Sequence, residues 1–200
     1  MIQASQTLRE ITGMGFNHAS LKSSALIMVD CQNTYRHGVM QLSNVEPAIL
    51  EAQKLLNMAR DLKIPVIHIQ HDAGVGTPYD ISADIGAISA EVAPVSGEAV
   101  LIKNYPNAFW HTNLEAQLKA LGIENVVLAG FMTHMCINSS ARGAFNLGFN
   151  PTIVASACAT RSLIGANGKV IDAQTMHDSA LAAVRDLFAV VVDDVASLKT

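Results

Sequence analysis

Charge is scarce in this chain. Asp, Glu, Lys and Arg together make up 15% of its 200 residues, and the formal net charge is −4. Nucleic-acid binding rests on a concentrated basic face, and no dense Lys/Arg patch occurs, so nucleic acid is excluded as a partner. Long apolar runs are missing too. Each is broken well before the roughly 20 residues needed to span a membrane. No basic stretch followed by an apolar block is present near the start, so no secretory signal is read, and the expected compartment is the cytoplasm. Cysteine is limited to Cys31, Cys136 and Cys158, an odd number at spacings that match neither a disulfide framework nor a zinc pattern. In a reducing compartment these are free thiols, and the default role of a free thiol is a small buried hydrophobe.

What is abundant is apolar. Half of the residues belong to the hydrophobic set, which argues for a substantial core and against disorder. It also suggests apolar surface hidden between subunits. Residues 1–23 show no clear period and read as an arm outside the sheet, with one domain over 24–200. From there strand and helix signals alternate. Ala25–Val29 is an apolar run ending in Asp30. Glu46–Lys63 carries Leu55, Met58, Ala59 and Leu62 at the spacing of one helix face. Pro65–Ile69 is a second strand. The stretch Asp72–Glu98 has little period, like many lids and binding loops, with room for a short helix within Ile81–Val92. Ala99–Ile102 is a third strand ending in Lys103. Thr112 and Glu115 fit a capping box for a helix lined by Leu114, Leu118 and Leu121. Asn125–Phe131 is a fourth strand, followed by a helix from about His134 to Leu147. Thr152–Ala157 is a fifth strand, Asp172–Phe188 a helix, and Ala189–Val192 a sixth strand. Such alternation predicts a parallel sheet covered on both faces, a three-layer α/β/α domain.

In open parallel sheets ligands bind beyond the carboxyl ends of the strands. Asp30, Lys103 and the segment Gly130-Phe131-Met132-Thr133-His134-Met135-Cys136 all fall there. A thiol must be activated to attack a carbonyl. Cys136 in the first turn of a helix, near the Lys103 ammonium, is expected to have its pKa lowered, and Asp30 can take its proton and return it to a leaving amine. A Rossmann-type oxidoreductase would carry a glycine-rich turn after strand one. That position reads Asp30-Cys31-Gln32-Asn33, which excludes the class.

At these residues the sequence resembles the isochorismatase-like cysteine hydrolases, a family that includes nicotinamidases and N-carbamoylsarcosine amidases. The likeness runs from about Ser24 to Val195 and is carried by ALIMVDCQNTY, VLIKNYPNAF and VVLAGFMTHMCINSSARGAFNLGF. It implies an Asp30–Lys103–Cys136 triad and a six-stranded parallel, Rossmann-like sheet of order 3-2-1-4-5-6. It further implies a cis peptide at Phe131–Met132 and an oxyanion hole from the Met132 and Cys136 amides. Nicotinamidases of the family hold a metal near the end of strand two through an Asp, a nearby His and a second His. Here the region reads Ile67-His68-Ile69-Gln70-His71-Asp72, without the Asp-x-His spacing, so no metal and no cofactor are expected, and nicotinamide is not the expected substrate. Members that open isochorismate, a vinyl ether, need no cysteine, so Cys136 favours amide chemistry. The expected activity is cleavage of a C–N bond in a small amide, ureido compound or lactam through a thioester on Cys136. The alternatives are isochorismate-type vinyl ether hydrolysis and a non-catalytic binding or assembly role. Substrate-binding candidates are Gln32, Asn33, His71, Tyr79, Tyr105, Asn107, Phe109, Trp110, Thr133 and His134. The family resemblance implies a homodimer or homotetramer. No membrane partner is expected.

Overall fold

Strands in the middle of a parallel sheet are buried on both faces and so read as unbroken apolar runs. The computed structural model, which describes residues 4–200, follows that pattern. In chain order its elements are α1 (Leu8–Ile11), β1 (Ser24–Val29), α2 (Val45–Asp61), β2 (Val66–His71), β3 (Ala99–Lys103), α3 (Leu114–Ala120), β4 (Asn125–Phe131), α4 (Asn138–Asn146), β5 (Asn150–Ala159), β6 (Leu163–Ile164), β7 (Val170–Ile171), α5 (Ala173–Arg185) and β8 (Val190–Val192). Six of the strands form one parallel sheet in the order β3-β2-β1-β4-β5-β8, and β6 with β7 makes a separate antiparallel ribbon. The order is the one the family resemblance implies, with the ribbon inserted ahead of the last strand.

Every residue of β1 is buried, and its side chains alternate between two cores. Leu26 and Met28 pack under α2, against Ile49, Ala52 and Leu56. Ala25, Ile27 and Val29 face the other layer, with Leu114, Leu118, Ala141, Ala144, Leu181 and Val184. Burying each such aliphatic side chain contributes about 1.5–3 kcal/mol. This two-sided burial makes β1 and β4 a rigid platform for whatever their carboxyl ends carry. Edge strand β3 departs from the expectation of burial on both faces. Val100 and Ile102 are 39% and 41% exposed because α2 does not reach over the sheet's margin.

Some local expectations change. Residues 133–137 form a single π-type turn before α4 begins at Asn138, so Cys136 does not sit in the first turn of an α-helix. Thr112 is not the cap of α3: Asn113 holds that position, and the Thr112 hydroxyl donates back to the Ala108 carbonyl. Strand β5 continues two residues beyond Ala157, bringing Thr160 and Arg161 to the edge where the other strands end. Two 3-10 turns, Asp84–Gly86 and Ala90–Val92, replace the short helix in the long loop. Before β1 the described chain lies outside the sheet and is fastened to the segments on either side of β8. The Arg9 guanidinium donates to the Leu187 carbonyl, and the Leu21 amide to the Lys199 carbonyl. Met1–Gln3 of the expected arm fall outside the described residues. No helix among the described residues is long and apolar enough to cross a membrane.

Candidate active site

Three strands deliver the groups that meet above the sheet. Lys103 ends β3 and is paired with His71 at the end of β2. Asp30 follows β1 directly. Its backbone takes a left-handed conformation, φ 50°, closed by the Gln32 amide donating to the Asp30 carbonyl at 2.8 Å, a conformation aspartate tolerates better than most residues. Gly130 near the end of β4 has φ 124°, and a Cβ there would lie 1.9 Å from the Val29 carbonyl oxygen. Only glycine lets β4 come this close to β1, one residue before Asp30.

The Lys103 Nζ lies 2.7 Å from Asp30 Oδ2, 3.0 Å from His71 Nδ1 and 3.4 Å from Cys136 Sγ. Asp30 and Lys103 are fully withdrawn from water, and Cys136 is 5% exposed. The ammonium approaches Oδ2 off the direction a hydrogen bond prefers, and neither carboxylate oxygen has a well-aligned partner among the described residues. That carboxylate has lone pairs to spare for a proton.

Burial sets the protonation of these groups. It raises the Asp30 carboxyl above its ordinary value, with the Lys103 charge opposing. It raises the Cys136 thiol strongly, and the Asp30 charge pushes in the same direction while Lys103 pulls back. The lowering expected for the Cys136 thiol is therefore reversed, for two reasons: the sulfur is enclosed, and the nearest anion repels a second negative charge. His71 is held down to about 4, first by burial and then by the Lys103 charge, so its imidazole is neutral at physiological pH.

The Phe131–Met132 peptide is cis. It leads into the turn in which the Met135 and Ile137 amides both donate to the Met132 carbonyl. The Met132 N–H itself makes no backbone hydrogen bond outside the regular elements among the described residues.

Of the sequence-predicted binding residues, His71 and Tyr79 sit beside the triad, their rings edge to face at 4.9 Å. Thr133 and His134 lie in the cysteine turn but are engaged, Thr133 with His177 and His134 with Thr160. A cavity of about 270 Å³ that includes Ser43, Asn44, Cys158, Thr160 and His177 in its lining opens next to these pairs. Gln32 and Asn33 point elsewhere. Gln32 clamps the His71 backbone and donates to the Gly86 carbonyl, and Asn33 binds Asp84 and Ser89. Together they pin the long loop, which is thereby a fastened wall. Asn107, Phe109 and Trp110 turn down the far side of the sheet. Asn107 packs against Gly143, Phe109 stacks on Phe149, and Trp110 is exposed beside His111. Tyr105 is half exposed, against His111. The reason is chain direction: Asn107 and Ala108 are bound to the flank of α4, through Gly143 and Ser140, and carry their neighbours away from Cys136.

Two residues were missed. Tyr35, buried against Phe131, meets Tyr79 edge to face at 5.8 Å, and its phenol is pushed up by burial and then by the Asp30 charge. Arg161 follows β5. Its Nη1 contacts Met40 Sδ at 3.6 Å, its buried Nε has no partner among the described residues, and its charge acts on both Tyr79 and His134. The strand-end rule that found Asp30 and Lys103 finds Arg161 once β5 is given its full length. Among the described residues no three His, Cys, Asp or Glu side chains are grouped to hold a metal ion.

The Isochorismatase domain model matches residues 24–194. The isochorismatase family protein YddQ of Bacillus subtilis is 34% identical over 180 residues, 88% of this chain and 99% of its own. The maleamate amidohydrolase of Pseudomonas putida is 34% identical over 154 residues, 68% of this chain and 72% of its own. A crystal structure of an isochorismatase from Pseudomonas putida KT2440 superposes with a TM-score of 0.93 at 34% identity, covering 98% of this chain and all of that one.

Proposed function

The chain belongs to the isochorismatase family of hydrolases, and from that premise we propose that it is an amidohydrolase that cleaves the C–N bond of a small amide or ureido compound bearing an anionic group, through a thioester on Cys136. The reading rests on one observation. A single buried ammonium, Lys103, touches both a carboxylate and a sulfur, so a proton can pass between the two without either becoming an isolated buried charge.

In the first half-reaction Asp30 takes the Cys136 proton as the sulfur forms its bond to the carbonyl carbon, and the negative charge moves to the carbonyl oxygen. The Met132 and Cys136 amides are the donors assigned to that oxygen. The C–N bond then breaks, and the departing nitrogen takes the proton from Asp30. Water attacks the thioester in the second half-reaction and gives a proton to Asp30. The C–S bond breaks, and the proton returns to sulfur. Asp30 thus serves as base and acid in turn, and its free lone pairs suit it to both.

Arg161 supports the anionic substrate. An unsatisfied guanidinium N–H beside Tyr79, at the carboxyl edge of the sheet, is complementary to a carboxylate. Maleamate, named for one relative, carries an amide and a carboxylate in one small molecule.

The test is ammonia release from maleamate, an N-carbamoyl amino acid and nicotinamide by the parent and by Cys136→Ala and Arg161→Met. The parent is expected to hydrolyse an anionic amide and to show an acyl adduct on the Cys136 peptide after acid quench. Cys136→Ala turning over substrate at the parent rate would sink the mechanism. Arg161→Met is expected to raise KM for the anionic amide about 10- to 100-fold, the loss of one charge-assisted hydrogen bond. An unchanged KM removes the anionic requirement.

A further inference from the structure

The triad accounts for only two of the three groups around the lysine. An ammonium has three N–H bonds and no lone pair. Asp30 Oδ2 and Cys136 Sγ are two of its neighbours, and the third is the His71 Nδ1 at 3.0 Å. We propose that His71 is a positioning residue whose bare Nδ1 accepts a hydrogen bond from the Lys103 ammonium and so holds that cation between the carboxylate and the sulfur. The inference rests on the amidohydrolase reading for its role in turnover, and on geometry alone for the contact.

Chemistry fixes the tautomer. A lysine ammonium can only donate, so an Nδ1–H would set two N–H groups against each other at 3.0 Å. The ring proton therefore sits on Nε2. The surroundings keep the ring neutral and still. Burial and the Lys103 charge oppose a second ring proton, and Asp72, the next residue, only partly offsets them. The Tyr79 ring bears on the imidazole from the long loop. The backbone is held twice by Gln32, whose Oε1 accepts from the His71 amide and whose Nε2 donates to the His71 carbonyl. Strand pairing of His71 with Lys103 completes the frame. Without the third acceptor the ammonium would keep an unpaired N–H in a buried site, a loss it relieves by swinging away. Its distance to the sulfur would then no longer be set.

Two measurements test this. Long-range 1H–15N correlation on 15N-histidine-labelled protein reads the tautomer without any substrate. The expected result is protonated Nε2 and bare Nδ1 at neutral pH, with the Nδ1 signal moved in Lys103→Met. An Nδ1–H tautomer, or a ring protonated on both nitrogens at neutral pH, overturns the proposal. The second compares Cys136 alkylation by iodoacetamide, and its titration by far-ultraviolet thiolate absorbance, in His71→Leu and His71→Asn. Leucine removes the acceptor, whereas asparagine Oδ1 can replace Nδ1. The thiol of His71→Leu should titrate higher and alkylate about tenfold more slowly at fixed pH, the equivalent of one pH unit. His71→Asn should restore most of the rate. A merely structural histidine would lower the melting temperature without moving the thiol titration, and that outcome, or an asparagine variant as slow as leucine, refutes the positioning role. If the protein hydrolyses no amide, both readouts still decide the contact.

Discussion

Replacing Asp30 by asparagine should lower the titration of the Cys136 thiol and still cripple turnover. In the parent the buried site is balanced, with Lys103 against Asp30 at 2.7 Å and the thiol neutral beside them. Asp30→Asn leaves the ammonium without its counter-ion, and the nearby group able to supply a negative charge is the sulfur, 3.4 Å from Nζ. Opposite charges at 3.4 Å are worth about 5 kcal/mol at an effective dielectric near 20, but that attraction already pulls on the parent thiol, so the change comes from the lost carboxylate charge. That charge raises the thiol, and its loss lowers it. The assay is the pH titration of far-ultraviolet thiolate absorbance, with the Asp30→Asn/Cys136→Ser protein subtracted. Cys31 and Cys158 contribute little, because burial raises both. The Asp30→Asn thiol should titrate at least about one pH unit lower than the parent thiol, while turnover falls about 100- to 10,000-fold for want of the proton carrier. A folded Asp30→Asn protein whose thiol titrates as high as the parent's, or higher, would refute the charge-balance argument.

Lys103→Met should cost about 3–5 kcal/mol in urea unfolding, the penalty for a buried charge left unpaired, and Asp30→Asn/Lys103→Met should regain most of it; a double variant no more stable than the single one refutes that coupling. Gly130→Ala should cost more than about 4 kcal/mol, because its Cβ would overlap the Val29 carbonyl. The control is Gly148→Ala, also at positive φ but in open space, which should cost about 1–2 kcal/mol. Equal costs at the two glycines would show that β1 and β4 can separate. Stability should fall as pH drops. His18, His68, His71, His134 and His177 are lowered from 6.5 by burial, His71 to about 4. The unfolded chain therefore binds protons below 6.5 that the folded chain refuses, until it too takes them up at lower pH. A second loss follows between 4.5 and about 2 from Glu98; burial would raise it, but Arg60, His68 and the Val95 amide more than offset that. A melting temperature unchanged between pH 6.5 and 4 would contradict this.

The sheet was legible because burial on both faces leaves a plain mark: after a polar first residue the runs in β1 and β4 are apolar to their ends, and turn residues separate them from the helices. The candidate edge was legible for the same reason, since a charged residue ending such a run stands out there. What escaped was set by contacts remote in sequence. Nothing local to Asn107 tells that Gly143 waits to receive it, so a segment rich in aromatic residues looked like a pocket wall. Arg161 was hidden by the irregular step in β5, where Gly130 pairs with Cys158 although Leu128 pairs with Ile153. The extra residues made the strand appear to end early. The direction of the thiol's shift was read the wrong way. Proximity to lysine argues one way and enclosure the other, and only burial of the sulfur decides between them.

That decision bears on how the site works. A standing thiolate would need no base, and Asp30 would then have no part in the first proton transfer. Under the proposed mechanism a buried neutral thiol makes Asp30 necessary, and it gives the lysine between them its part. Before transfer the ammonium stabilises the carboxylate, and after it the sulfur, so the enclosed site contains one positive and one negative charge throughout. The cation need not move if both anionic positions lie within its reach, as the 2.7 and 3.4 Å contacts allow. A third, neutral acceptor is then the natural complement. A second carboxylate in place of His71 would add a negative charge and trap the proton on one partner, whereas an imidazole held unprotonated orients the ammonium and leaves the charge balance untouched.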